Sequence, residues 1–178
     1  MWRRVLAVGL AGLAACSSGG GTPRQERELT ERITVSSAAF TAGGVIPRRF
    51  TCAGEDVSPP LAWSGVPAGT AEVALVVDDP DAPRGTYVHW VLAGLDPARG
   101  RLAEGQVPSG ARQLPNSAGK AAWTGPCPPG GPAHHYRFTV YALRQAPEVP
   151  GDAGPEAAVE AIEAAAITRG RLVGTFSR

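Results

Sequence analysis

Glycine, proline and aspartate divide this sequence into short apolar runs. These frequent interruptions constrain the fold more than any other feature of the sequence. The 178 residues include 23 glycines and 17 prolines, which break helices and mark turns. The strongest run, Glu72 to Asp78, is apolar between its ends, as in a strand that is buried on both faces. Thr86 to Ala93 and Tyr136 to Leu143 are further strand candidates, rich in aromatic and β-branched residues. The chain is therefore predicted to be mainly β.

One segment has the periodicity of a helix. Between Pro155 and Thr168 the apolar residues recur at helical spacing, and Gly170 is placed as the stop signal. Strands are expected over 33–35 near the start of the domain and over 171–176 at its end. Many short strands with Gly/Pro turns and one late helix predict an antiparallel β-sandwich with a peripheral C-terminal helix.

The N-terminus indicates export. A short basic start precedes an apolar stretch, Val5 to Ala15, that is too short to span a bilayer as a helix. Residues 1–15 are therefore interpreted as a secretory signal peptide. The stretch ends in Leu13-Ala14-Ala15-Cys16, which resembles the lipobox of bacterial lipoproteins and implies lipidation of Cys16. The alternative is an ordinary signal peptide cleaved at a small residue, with Cys16 incidental.

A lipidated Cys16 would hold the protein at a membrane. Diacylglycerol plus an N-acyl chain supplies more than one acyl chain, which is enough for stable anchoring. The Gly/Ser-rich and then charged segment that follows is interpreted as a flexible tether over 16–32, leaving 33–178 as the folded domain. The predicted location is therefore the cell envelope, with the domain lipid-anchored and extracytoplasmic.

The charge balance excludes one class of partner. The chain has 17 basic and 16 acidic residues, a formal net charge of +1. Nucleic-acid binding needs a concentrated basic surface, so no nucleic-acid partner is expected. No cofactor is expected either, because no phosphate-binding glycine loop precedes a helix.

Two cysteines remain after Cys16, namely Cys52 and Cys127. In an oxidising compartment a disulfide between them is the first hypothesis. Two neighbouring buried thiols are the alternative. In the chain-entropy model a bond closing a segment of this length stabilises the fold by about 4.5 kcal/mol.

Histidines and aspartates are the candidate chemical groups. Strand alternation separates the adjacent His134 and His135, and it predicts that His134 and Tyr136 share the core-facing side. The plain alternative is one core histidine with satisfied hydrogen bonds and one solvated histidine. Three acids, at positions 78, 79 and 81, follow the most buried strand and repel one another unless hydrogen bonds are donated to them. Those bonds come either from the turn itself or from donors that lie opposite.

Several motifs occur in a fixed order along the chain. They are Asp79-Pro80-Asp81-Ala82-Pro83, His89-Trp90, Gly125-Pro126-Cys127-Pro128-Pro129-Gly130 and His134-His135-Tyr136-Arg137-Phe138, preceded by the segment from Cys52 to Trp63. Together they resemble the signature of the phosphatidylethanolamine-binding protein family, specifically its bacterial Raf-kinase-inhibitor-like branch. The resemblance runs from about Ile33 to Arg178. It implies a β-sandwich with a small anion-binding cavity at one end.

The resemblance also implies which residues bind a ligand. The matching positions, including two wall residues from one loop and a nearby acid, are Asp79, Asp81, His89, Gly125, Pro126, His134 and Tyr136. Imidazole and phenol groups can donate to phosphate or carboxylate oxygens, and a carboxylate can orient a histidine or receive a ligand ammonium. Because none of these residues is Arg or Lys, anion affinity is expected to be weak and to strengthen as histidines protonate near a pKa of about 6.5.

The predicted function is that of a non-catalytic, membrane-tethered binding protein. Its ligand is expected to be small and anionic or zwitterionic, such as phosphate, a carboxylate or a phosphoethanolamine-like headgroup. One alternative is a hydrolase in which Asp79, His89 and His134 form an acid/base set or a metal site, although regular metal-ligand spacing and a nucleophile-elbow serine are not found. Another is a regulator or inhibitor of an envelope protease or other enzyme, with an envelope protein as its partner.

Overall fold

A computed structural model describes residues 29–178 of the chain. The predicted signal peptide, Cys16 and most of the tether lie outside the described residues, so those assignments stay predictions. The described part forms eight strands, one α-helix and one short 3₁₀ helix. In chain order they are β1 (Thr34–Ser36), the 3₁₀ helix (Arg48–Phe50), β2 (Leu61–Ser64), β3 (Glu72–Asp79), β4 (Tyr87–Leu95), β5 (Arg101–Leu102), β6 (Arg112–Leu114), β7 (His134–Leu143), α1 (Pro155–Ala165) and β8 (Ala166–Phe176).

The strands form two antiparallel sheets. The larger sheet has the order β6-β4-β3-β7-β8, and the smaller one has the order β1-β2-β5. The smaller sheet packs on one face of the larger sheet, and α1 covers part of the other face. The predicted antiparallel sandwich with a peripheral C-terminal helix is therefore confirmed.

Strand β3 is buried on both faces, as its continuous apolar sequence predicts. Val73, Leu75 and Val77 belong to the core between the two sheets. Ala74 and Val76 belong to the second core, under α1. All five side chains are at most 2% exposed, and burying a valine or leucine stabilises a fold by about 1.5–3 kcal/mol. This central strand therefore holds the two layers together.

The C-terminal helix ends earlier than the sequence predicts. Helix α1 ends at Ala165, whereas Thr168 is paired with β7 within strand β8. The β-branched pair Ile167 and Thr168 favours a strand. Arg144 also donates from Nη2 to the backbone oxygen of Ala166 at 2.8 Å. This bond satisfies a backbone acceptor at the junction between the helix and the strand. The prediction of a helix extending to Thr168 is wrong for its last residues.

Gly170 does not stop the helix but lies inside β8, opposite Val140. A Cβ atom at this position would lie 1.8 Å from the backbone oxygen of Ile33. The chain that leads into β1 crosses β8 here, and the backbone N–H groups of Arg32 and Ile33 both donate to Arg169 O, at 3.0 and 3.2 Å. Glycine is needed at position 170 because another backbone passes directly over it.

The first described residues are attached to the same strand. Thr30 O accepts a hydrogen bond from the backbone N–H of Arg169 at 3.2 Å and another from the Thr168 hydroxyl. Leu29 packs against the core under α1. The described residues 29–32 therefore contact the folded domain beside the end of β8 that is remote from Phe176.

Candidate functional site

Asp78 at the end of β3 and Asp81 just beyond it are both paired with residues of β7. Arg137 donates from Nε and Nη2 to the two carboxylate oxygens of Asp78, at 2.7 and 2.6 Å. His135 donates its backbone N–H to Asp81 Oδ2 at 2.8 Å, and its Nδ1 lies 2.7 Å from the same oxygen. These hydrogen bonds from His135 hold the pKa of Asp81 below its usual range. Donors on β7 therefore relieve the repulsion between the acids.

The third acid, Asp79, is buried and points toward the core between the sheets. Its Oδ1 accepts the backbone N–H of Asp81 at 2.8 Å, and its Oδ2 lies 2.7 Å from His134 Nδ1. Because a carboxylate only accepts, His134 carries a hydrogen on Nδ1. Asp79 is thus held by a backbone N–H of its own turn, and it orients His134. Both kinds of donor that the sequence allows, the turn itself and a residue lying opposite, bind this carboxylate.

Strand alternation on β7 separates the adjacent histidines as predicted. The His134 side chain is 12% exposed and that of His135 is 58% exposed. Tyr136 and Phe138 continue the His134 side and are completely buried in the core between the sheets. His134 therefore lies at the rim of this core and His135 lies outside it.

His89 lies on β4, two strands away from β7, and is almost completely buried. Its Nδ1 is 2.7 Å from the backbone oxygen of Thr124. Its ring centroid is 5.3 Å from that of Tyr136 and 4.8 Å from that of Tyr87. Burial lowers the pKa of His89, so this histidine becomes a cation only at a lower pH than the sequence-based expectation of about 6.5.

Two buried polar atoms at this site have no hydrogen-bond partner within the described residues. They are His89 Nε2 and the Tyr136 hydroxyl oxygen. Leaving a buried polar group unpaired costs about 1–3 kcal/mol, and native folds contain few such groups. Both atoms are therefore suited to contact a ligand.

The loop between β6 and β7, residues 115–133, lies beside His89 through Thr124 and is called the wall loop below. The backbone N–H of Gly125 donates to Asp56 Oδ1 at 2.8 Å. A Cβ on Gly125 would lie 2.2 Å from that oxygen and 2.7 Å from Phe50 O, so the position has no room for a side chain. The next residue, Pro126, accepts a hydrogen bond from the backbone N–H of Cys52 at 3.2 Å.

A disulfide joins the same two segments covalently. Cys52 and Cys127 are bonded across a sequence separation of 75 residues, which confirms the predicted pairing over the alternative of two free thiols. Both residues are exposed. The bond therefore connects the 3₁₀-helix region to the wall loop at the protein surface.

Sequence reasoning did not identify Asn116, although it organises the loop behind His89. Asn116 is 1% exposed, and its Nδ2 donates to three oxygens, one of them His89 O at 3.1 Å. Its Oδ1 accepts the backbone N–H groups of Ala118 and Lys120, both at 3.0 Å. The sequence contains no clear signal for this role, because an asparagine in a loop is ordinary.

The candidate residues come from separate parts of the chain. The structure brings Asp79 to His134 through a hydrogen bond and places His89 against Tyr136, whereas the carboxylate of Asp81 is bonded to the exposed His135 and not to His134. Within residues 29–178, no three His, Cys, Asp or Glu side chains are arranged as ligands of a metal ion. Over the same range, no helix has the length and apolarity that crossing a membrane requires.

Two buried tyrosines predict a loss of stability above about pH 10. Burial raises the pKa of Tyr136 and Tyr141, so both stay neutral in the folded chain while they ionise in the unfolded chain. Their contribution is complete below the unfolded pKa and decreases as pH rises, by up to about 1.4 kcal/mol per pH unit for each tyrosine. Urea unfolding between about pH 9 and 11 measures this slope. A Tyr136→Phe variant with the same slope as the wild type would contradict the prediction.

Comparison with known proteins decides the family. The family model described as phosphatidylethanolamine-binding protein matches residues 36–177. The chain belongs to the phosphatidylethanolamine-binding protein family. The resemblance inferred from the ordered motifs is therefore confirmed over nearly the whole described part.

Proteins similar to this chain include one relative known by sequence and two of known structure. A Mycobacterium tuberculosis protein named as a lipoprotein, LppC, is 45% identical over 180 residues, which cover 92% of this chain and 89% of that protein. The crystal structure of the family homologue CT736 from Chlamydia trachomatis has a TM-score of 0.75 at 34% identity, covering 84% of this chain and 99% of that one. Escherichia coli YbcL has a TM-score of 0.77 at 29% identity, covering 83% and 99%.

Proposed function

We propose that this protein is a non-catalytic, envelope-anchored binding protein with a pocket for a small anion or phospho-headgroup. The pocket is built around Asp79, His89, His134 and Tyr136. One observation carries the proposal: His89 Nε2 and the Tyr136 hydroxyl are both buried and without a partner among the described residues, on rings whose centroids are 5.3 Å apart. A ligand that paired with both would remove the cost of leaving them unpaired.

The chemistry of the four side chains suits binding. The raised pKa of Tyr136 keeps its hydroxyl protonated and able to donate to an oxyanion. Both oxygens of Asp79 accept hydrogen bonds from within the protein. Asp79 therefore positions His134 and does not serve as a free base toward a substrate. A pocket with one fixed carboxylate and polar donors, but no cationic side chain among its members, favours weak and reversible binding of an anion.

The envelope part of the proposal has separate support. Residues 1–15 have the pattern of a signal peptide and Cys16 ends a lipobox-like segment. The similar mycobacterial protein LppC, which aligns with 92% of this chain, is named as a lipoprotein. Together these observations favour a lipid-anchored protein whose domain lies outside the cytoplasm.

Calorimetry with phosphate and phosphoethanolamine tests the binding function. The full chain, solubilised in mild detergent, should bind both, and Tyr136→Phe should weaken binding by about tenfold because it removes one hydrogen bond to a charged group. Tyr141→Phe is the matched control, since the Tyr141 hydroxyl donates to Glu163 on the opposite face of the sheet. This control should bind as the wild type does. No binding by the wild type, or equal weakening by the two variants, would contradict the proposal.

A further inference from the structure

The two ring nitrogens of His89 have different surroundings. Nδ1 lies 2.7 Å from the backbone oxygen of Thr124, and a carbonyl oxygen only accepts, so Nδ1 carries a hydrogen. Thr124 is itself fixed: its backbone N–H donates to His89 O at 3.2 Å, and its hydroxyl accepts from Asn116 Nδ2 at 2.9 Å. The hydrogen on Nδ1 is therefore set by rigid backbone.

Nε2 of His89 consequently presents a lone pair whenever the ring is neutral. Burial favours the neutral ring, although Asp79 and Asp78 on β3 and Asp56 beside the wall loop act in the opposite direction. Asp79 is hydrogen-bonded to His134, Asp78 to Arg137, and Asp56 to the backbone of Gly125. None of these carboxylates is hydrogen-bonded to His89, and the rings of Tyr136 and Tyr87 also pack beside it.

The neighbouring Tyr136 hydroxyl has the complementary property. Its hydrogen has no acceptor within the described residues, so it can donate to a ligand oxygen. A ligand that satisfies both atoms must accept a hydrogen bond from Tyr136 and donate one to His89. Hydrogen phosphate and phosphomonoester monoanions do both, because they carry a P–OH group beside charged oxygens. Sulfate and phosphodiesters carry only acceptor oxygens near neutral pH.

We propose that this pocket selects oxyanions that carry a proton, namely inorganic phosphate and phosphomonoesters, over phosphodiesters and sulfate. His89 is the specificity-determining residue, since its Nε2 accepts the hydrogen bond that the P–OH group of the ligand donates. The inference rests on the proposed function and names the ligand class of the same site. The phosphate of a glycerophospholipid is a diester, so the preferred ligand is a monoester or free phosphate and not the phosphate of a membrane lipid.

Competition between matched ligands tests the selectivity. Calorimetry on the full chain in detergent would compare methyl phosphate, dimethyl phosphate and sulfate at about pH 6, near the second pKa of a phosphomonoester. Methyl phosphate should bind at least about tenfold more tightly than the other two, because they leave a buried acceptor unpaired. Its advantage should shrink as the pH is raised to about 8 and the ligand loses its proton.

A variant and a spectroscopic measurement locate the selectivity at His89. His89→Gln offers an amide that can donate as well as accept, so dimethyl phosphate should approach methyl phosphate in affinity. Tyr136→Phe should weaken all three ligands and leave their ratios unchanged. Nitrogen NMR of the wild-type imidazole rings should show His89 with hydrogen on Nδ1 and none on Nε2 at about pH 7.

Two results would overturn the inference. One is dimethyl phosphate or sulfate binding the wild type as tightly as methyl phosphate, and the other is an NMR signature of a protonated Nε2 on His89. If no oxyanion binds at all, the proposed function fails, and the NMR result still decides whether His89 presents an acceptor.

Discussion

Replacing Cys52 and Cys127 together with serine is expected to lower the free energy of unfolding by about 4.5 kcal/mol. The disulfide spans 75 positions of the sequence, and its removal returns conformational freedom to the unfolded chain, which in the chain-entropy model amounts to this value. Both residues are exposed, so serine at either position leaves no buried cavity. Urea unfolding of the wild type and the double variant measures the difference.

Reductant provides the control for this prediction. It should destabilise the wild type to the level of the double variant and leave the double variant unchanged. Because Cys52 N–H also donates to Pro126 O, we expect reduction to loosen the wall loop and to weaken phosphate binding. A loss of stability below about 1 kcal/mol would show that native contacts, such as the bond between Asp56 and Gly125, hold the loop without the disulfide.

Removing the Asp79 carboxylate is expected to lower the free energy of unfolding by about 3 kcal/mol. An Asp79→Ala variant removes the acceptor of two donors, the backbone N–H of Asp81 and Nδ1 of the largely buried His134. Hydrogen bonds to charged groups contribute about 1.5–3 kcal/mol each, and the unpaired Nδ1 of His134 adds its desolvation cost. The same variant frees the His134 ring to turn, so phosphate affinity should fall as well. Urea unfolding and calorimetry measure the two effects.

A neighbouring acid gives the matched control for Asp79. Asp81 also accepts from a histidine, but its side chain is 42% exposed, and exposed pairs of this kind contribute between about 0 and 1 kcal/mol. Asp81→Ala should therefore be far less destabilising. Equal losses in the two variants would mean that burial of the Asp79–His134 pair has no energetic consequence, and they would contradict the prediction for Asp79.

The long strands and the layered fold could be predicted because their sequences carry strong periodic signals. Strand β3 is apolar on both faces. In β7 core-facing and outward-facing residues alternate, starting from its two histidines. Strands β2, β5 and β6 have two to four residues each, which is too short for periodicity to register. The end of α1 could not be placed because Ala166 suits both the helix and the strand, and pairing with β7 decides between them.

The site could be predicted in its residues but not in its connections. Alternation assigns a side chain to a face, whereas the partner of each acid depends on the register between β3 and β7. In the observed register Asp78 lies opposite Arg137. The next residue, Asp79, is hydrogen-bonded to His134. His89 and Tyr136 meet from strands on either side of β3. Such a contact between distant segments depends on three-dimensional packing that no single segment encodes.

The attachment of the first described residues to β8 has a consequence for orientation. Thr30 and Arg32 bind at Thr168 and Arg169, whereas the pocket end of β8 is Phe176, which pairs with His134. About eight residues of strand, roughly 25 Å, separate these two poles of the domain. If Cys16 is lipidated as the sequence predicts, the anchor would act on the domain through the pole opposite the proposed pocket. Anchoring would then leave the pocket accessible to dissolved molecules.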